Sequence, residues 1–382
     1  MPESRSGDAN AIDQAPAAER GSPRAGAGTL ASHKGGASHE RIGTPRTAAT
    51  IGNGSDRAAD AFLRQWPSPT GGVLVVLGAP GTNDYRRDFD RTAAFWIDAA
   101  TRSSLPHRLL QPQPDSGRRL RELLREIAEH DRAAAPSADD RPNGRATSTL
   151  WLVLIGHGTF DGRTARFNLA GPDVSAEELA GWLEPIGRPQ VVVCGFSCSG
   201  AFLPKLSAPG RVVVSATKSG TEHLYSRFGR FFAEAVTTSE GDLDKDGRTS
   251  VWEAFLAASR RTERFYRSQG RLATEHPLLD DNGDGQGVRA AWFDGLYPRE
   301  NLAVQGPLDG IAAHQVHLVA PPKHSTLSNE QRSARQRLES ELRALRAKRS
   351  RMTEADYLDA LERIFLQLAD VYAAADVATT PR

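Results

Sequence analysis

Leu150-Trp151-Leu152-Val153-Leu154-Ile155 runs into Gly156-His157-Gly158-Thr159, and Gln190-Val191-Val192-Val193-Cys194 runs into Gly195-Phe196-Ser197-Cys198-Ser199-Gly200. Each run is apolar at nearly every position, so both faces of the strand it predicts must be covered. Arg211-Val212-Val213-Val214-Ser215 is a third strand of the same kind. Between the first two, Ser175 with Glu178 three residues later marks the start of a helix over 176–183. Upstream, Val73-Leu74-Val75-Val76-Leu77 precedes a helical pattern over 85–100, with Phe89, Ala93, Trp96 and Ile97 on one face. A weaker strand at 107–111 follows, then a helix marked by Leu120, Leu123, Leu124 and Ile127; another helix spans 228–236. Buried strands alternating with helices predict an α/β fold, a doubly wound and mostly parallel sheet with helices on both faces.

The chain has 382 residues, 39% hydrophobic and 25% charged, with a formal net charge of +1. That balance excludes a wholly disordered chain and an electrostatic nucleic-acid binder, and no apolar run approaches the ~20 residues of a membrane span. Two cysteines make neither a disulfide framework nor a Cys-rich zinc site. Residues 1–61 hold few large apolar side chains, among them Ile12, Leu30, Ile42 and Ile51, too few to offset ordering entropy. They are expected to form a disordered arm. No secretory signal is visible in them, which makes the cytoplasm the default location unless the start is misassigned. A single domain is expected over 62–322, with a polar loop at 133–148 as a conceivable processing site. Over 323–382 the stripes Leu338, Leu342, Leu345 and Tyr357, Leu361, Ile364, Phe365, Leu368, Tyr372 predict a helical hairpin, with Thr353 capping its second helix. Its charges read as a solvated face, not a nucleic-acid site, and the sequence leaves the oligomeric state open.

Ligands of open parallel sheets bind beyond the carboxyl ends of the strands. His157 and Cys198 each follow such an end, and neighbouring strands lie ~4.8 Å apart, so the two side chains can face each other across a cleft. A thiol and an imidazole so placed are a nucleophile and a proton carrier. Flanking glycines let a substrate approach the backbone. The bland alternative is an inert buried cysteine and a histidine that completes a turn. Cys194, inside its valine run, reads as core.

Gly156-His157-Gly158-Thr159 and Ser197-Cys198-Ser199-Gly200, in this order and each after a hydrophobic strand, resemble the legumain-type and caspase-like cysteine peptidases of clan CD, in a bacterial-type form. The resemblance spans about residues 72–236, including Gly171-Pro172-Asp173 and Ala216-Thr217. Cys198 is followed by Ser199-Gly200-Ala201, shorter than the Cys-x-Ser-Gly often seen in the family. The resemblance implies an endopeptidase acting on peptide or protein substrates. Cys198 would attack the carbonyl, His157 would protonate the leaving amine, and the N–H groups of Gly158 and Cys198 would form the oxyanion hole. Arg86 and Arg87 are as simply a solvated helix start as a substrate contact.

A second motif is independent of the first. Asp242-Leu243-Asp244-Lys245-Asp246-Gly247-Arg248-Thr249-Ser250-Val251-Trp252-Glu253 fits the twelve-residue EF-hand loop. Asp242, Asp244, Asp246, Ser250 and Glu253 stand at oxygen-ligand positions, Gly247 at the turn, and Arg248 offers its carbonyl. One Ca2+ is expected there, ahead of an apolar helix over 251–258. Asp280, Asn282 and Asp284 repeat the first half of the pattern, but Ala291 falls where the last ligand belongs. A second cation or a plain Asp/Gly turn fits equally. Two functional classes stay open: a calcium-binding cysteine endopeptidase, and a catalytically inactive interaction module of the same fold that binds calcium. Gly78-Ala79-Pro80-Gly81 lacks the spacing of a nucleotide-binding loop.

Overall fold

A computed structural model of the protein describes residues 71–133, 149–299, 308–319 and 328–379. The expectations for 1–61 and for the processing loop fall outside the described residues. The strands are β1 (Gly72–Leu77), β2 (His107–Leu110), β3 (Leu150–Ile155), β4 (Gly158–Phe160), β5 (Ala165–Phe167), β6 (Val174–Ser175), β7 (Gln190–Gly195), β8 (Arg211–Ser215), β9 (Leu278–Asp280), β10 (Phe293–Asp294) and β11 (Tyr297–Pro298). The helices are α1 (Asn83–Arg102), α2 (Ser116–Ala133), α3 (Ala176–Leu183), α4 (Leu203–Leu206), α5 (Phe228–Thr237), α6 (Val251–Ser268), α7 (Ile311–Gln315), α8 (Asn329–Ala347) and α9 (Glu354–Thr379).

Six strands form the central sheet in the order β2-β1-β3-β7-β8-β9. The first five run parallel and β9 pairs antiparallel with β8. Side-chain alternation along the strands builds two cores. Val73, Val75, Trp151, Val153, Val191, Val193, Val212 and Val214 pack with α1, α5 and α6 on one face. Leu74, Val76, Leu152, Leu154, Val192, Cys194 and Val213 pack with α2, α3 and α4 on the other. Cys194 is fully buried, and burial pushes its thiol far up. The capping box at Ser175 and Glu178 is formed as read.

The alternation signal did not expose the small antiparallel sheet β4-β5-β6 or the edge strand β9; strands of two or three residues are too short to show a period. Helix α6 extends ten residues past the 251–258 expectation, to Ser268, because its later turns carry arginines that cover an apolar flank. The C-terminal hairpin is present as α8 and α9, with Leu338, Leu342, Leu345 and Ile364 at its seam. Its second stripe is narrower than read: Phe365 and Tyr372 are exposed at 47% and 46%, since a single partner helix covers only one side of α9.

Candidate functional site

Because β3 and β7 are hydrogen-bonded neighbours, with Ile155 opposite Gly195, the loops that follow them meet at the carboxyl edge of the sheet. Ser197 ties them together. Its Oγ accepts from the Gly158 N–H at 3.1 Å and donates to the Gly158 carbonyl at 3.2 Å. A Cβ at Gly158 would lie 2.2 Å from the Ser197 carbonyl oxygen and 2.7 Å from the Phe196 ring. Gly158→Ala should therefore force the two loops apart and cost about 1–3 kcal/mol, read as a drop in the denaturant midpoint at unchanged slope.

His157 is half-buried between aromatic rings, 4.7 Å from Tyr85, 5.2 Å from Phe89 and 6.0 Å from Tyr225 between centroids. Burial lowers its pKa, opposed by a hydrogen bond to the main chain of Pro80. That contact gives the Gly78–Gly81 turn a use as a support for the imidazole. Cys198 sits in the left-handed region at φ 63°, ψ 4°, a conformation costly for a residue with a Cβ and typical of functional turns. Burial raises its thiol, with Ser197 partly offsetting the shift. Thiol and imidazole thus rest as neutral groups. No hydrogen bond joins them; their partners are Ser197 and Pro80.

The two N–H groups expected to form an oxyanion hole are both engaged. The Gly158 N–H is held by Ser197, and the Cys198 N–H donates to the Glu222 carbonyl at 2.8 Å. Cys198 is 1% exposed. As it stands, the pair lacks free donors, which corrects the expectation of a ready oxyanion hole; the loop turns the N–H groups inward. A cleft of about 450 Å³ is lined by Asp84, Tyr85, Asp88, Tyr225, Arg227 and Phe265, among others; it shares Tyr85 and Tyr225 with the rings around His157, while neither His157 nor Cys198 lines it. Arg87 pairs with exposed Asp84 one turn away, so it is part of a solvated helix start.

In the acidic loop the carboxylates fold back on nearby main-chain N–H groups. Asp242 Oδ2 accepts from the Gly247 N–H, Asp244 Oδ1 from that of Asp246, and Asp246 Oδ1 from that of Arg248. Lys245 and Gly247 take positive φ, 60° and 85°. Carboxylate oxygens of Asp242, Asp244 and Asp246 lie within 4.8 Å of one another. Glu253 holds the N–H groups of Leu243 and Asp244 and, through its other oxygen, Ser250. The Ser250 hydroxyl therefore serves the start of α6. Burial and the Glu253 carboxylate push Asp244 up to about 6, with Arg335 opposing. Arg335, from α8 and 3% exposed, donates to Asp244 at 2.8 Å and Asp246 at 2.9 Å. No sequence signal named it, because it lies 89 positions from Asp246.

The half-motif at Asp280 adopts the same arrangement. Asp280 Oδ2 accepts from the Gly285 N–H, Asn282 Oδ1 from that of Asp284, and Asp284 Oδ1 from that of Gln286. Gly283 and Gly285 have φ of 80° and 75°. Asp309 accepts from the N–H groups of Asp281 and Asn282, as Glu253 does from Leu243 and Asp244. Thus a carboxylate stands where Ala291 left a gap, supplied by a distant turn. Burial, then the Asp281 and Asp280 carboxylates, push Asp309 up.

No protein-family model matches the chain, and no curated protein does. Among solved structures it is similar to the Drosophila initiator caspase Dronc, at 12% identity and a TM-score of 0.37, over 60% of this chain and 85% of that one. It is also similar to caspase-1 from Spodoptera frugiperda, at 8% identity and a TM-score of 0.37, over 56% and 87% respectively.

Proposed function

We propose that the protein is a cysteine-type endopeptidase, with Cys198 as nucleophile and His157 as proton carrier. The supporting observation is their place at the carboxyl ends of two paired, adjacent strands, in loops interlocked through Gly158 and Ser197. The chemistry needs a nucleophile and an acid on facing sides of one cleft. The thiol forms the bond to the carbonyl carbon as its proton passes to His157, and the C–N bond breaks as the imidazolium gives that proton to the departing amine. A water deprotonated by His157 then cleaves the thioester, its proton returning to the Cys198 sulfur. Substrates in this reading are peptides or proteins that enter the cleft beside Tyr85 and Tyr225.

The same reading assigns a divalent cation, Ca2+ by its all-oxygen donors, to Asp242, Asp244, Asp246 and the Arg248 carbonyl, with Ser250 and Glu253 closing the loop. A second would occupy Asp280, Asn282 and Asp284, completed by Asp309. The convergence of three aspartates supports the first; the equivalence of Asp309 and Glu253 supports the second. An inactive calcium-binding module is the competing reading, favoured by the buried thiol and its engaged N–H. An irreversible peptidyl inhibitor separates the two. Mass spectrometry should find one adduct, on Cys198, and none in Cys198→Ala. An unmodified wild type, or an adduct that survives the substitution, would end the peptidase reading.

A further inference from the structure

One segment covers both candidate catalytic residues. Between β8 and α5, residues 217–227 cross the carboxyl edge of the sheet. The Glu222 carbonyl takes the Cys198 N–H, and the Tyr225 ring lies against His157. The segment is fastened on both sides by the adjacent pair Glu275 and His276. Glu275, 2% exposed, accepts from the Ser226 hydroxyl at 2.6 Å and from the N–H groups of Arg227 and Phe228. His276 binds the Glu222 carboxylate twice, its N–H to Oε2 at 3.1 Å and its ring Nδ1 at 2.5 Å from Oε1. Lys218 adds its N–H to Oε2 at 2.9 Å and its ammonium at 3.6 Å from Oε1. Glu222 thus joins two functions in one residue: its main chain stops the Cys198 N–H, and its side chain is anchored to a separate part of the fold.

We propose that residues 217–225 are a latch that holds this site closed, with the Glu222 carboxylate as the catch. The proposal rests on the reading of Cys198 as nucleophile. Three features agree with a closed form. The thiol is buried, its N–H is stoppered by a carbonyl, and the Gly158 N–H is stoppered by Ser197. An oxyanion needs donors aimed at it, and a carbonyl oxygen in that place mimics it and excludes it. The Cys198 loop cannot drift away alone, since a Cβ at Gly200 would lie 2.2 Å from the Ser219 N. The latch and the nucleophile loop are packed backbone against backbone. Opening therefore starts at Glu222, where the N–H and ring of His276 tie the segment to the rest of the fold and Lys218 braces the carboxylate from within it. Glu222 is a positioning residue; it touches neither the thiol nor the imidazole with its side chain.

The test uses the full chain and the two cysteines as reporters. Cys194 lies in the core and reacts only on global opening, whereas Cys198 reacts when the latch lifts. With iodoacetamide, Glu222→Ala should raise the carboxamidomethylation rate of Cys198 about tenfold, the scale of one charge-assisted hydrogen bond. The rate at Cys194 should stay unchanged. Hydrogen exchange in a peptide covering Phe196 and Cys198 should rise in parallel. His276→Ala should act in the same direction, and Glu222→Gln, which still accepts from the Lys218 and His276 N–H groups, should fall between. Equal acceleration at both cysteines would mean general loosening and overturn the latch, as would no change at Cys198. These readouts need no turnover. A Glu222→Ala protein whose Cys198 is unlocked to iodoacetamide but takes no peptidyl inhibitor loses the peptidase reading, whereas one that takes neither reagent faster than the wild type loses the latch. A wild type with full activity that Glu222→Ala only slows keeps the peptidase reading and loses the latch.

Discussion

Alanine at His157 is expected to lower kcat/KM toward a peptide substrate by about 10²–10⁴-fold, the usual contribution of a positioned acid and base. Cys198→Ala should remove turnover altogether. The expectation follows from the resting protonation states. Burial drives the imidazole down and the thiol up, so at neutral pH neither is charged and attack needs His157 to accept the thiol proton. Without that acceptor, the reaction depends on free thiolate, whose fraction grows as pH rises toward the raised thiol pKa. The residual rate of His157→Ala should therefore climb with pH, while the wild type, served by its own base, climbs less. A stopped assay from pH 6 to 10 on both proteins checks this. A flat profile in the variant, or an undiminished rate, would remove His157 from the mechanism. The folds of both variants should persist, because His157 is only half-buried and gives up one hydrogen bond, to Pro80, and Cys198→Ala keeps the Cβ and removes only the sulfur.

Calcium should raise the thermal midpoint by roughly 5 °C at a hundredfold excess over Kd, the equivalent of about 2.7 kcal/mol in a domain of this size. Asp242, Asp244 and Asp246 crowd their oxygens within 4.8 Å, and like charges so close repel unless a cation intervenes. In the absence of metal, the only cation held against Asp244 and Asp246 together among the described residues is Arg335 from the C-terminal hairpin. Glu253→Gln should lose most of the calcium-dependent rise and also lower the calcium-free midpoint, since one amide oxygen can still accept from Leu243 and Asp244 while the amide NH2 cannot accept from the Ser250 N–H. Arg335→Met should act oppositely and tighten calcium binding, because the aspartates then lose the guanidinium that spans Asp244 and Asp246, while Arg248 remains on Asp246 alone. Differential scanning calorimetry in EGTA and in millimolar calcium reads all three proteins. Superimposable traces for the wild type in the two conditions would take the metal out of the account.

Local pattern determined much of this protein. The continuous apolar runs at 150–155, 190–194 and 211–215 could be stable only as strands covered on both faces, and that requirement alone implies parallel order and helices on either side. The same ends of adjacent strands then put His157 and Cys198 in neighbouring loops. The twelve spaced residues from Asp242 to Glu253 likewise carry their own geometry, since side chains there fold back on N–H groups only a few positions away. Everything that depends on distant partners was decided by the tertiary structure. Ser197 against Gly158, Glu222 against Cys198, and His276 against Glu222 are contacts between segments tens of residues apart, and no local period encodes them. Arg335 and Asp309 belong to the same class: each puts a charge beside an acidic loop from far along the chain. A hydrogen bond between remote residues leaves no trace in spacing, because burial of a strand rewards many positions at once whereas a single polar contact constrains only two.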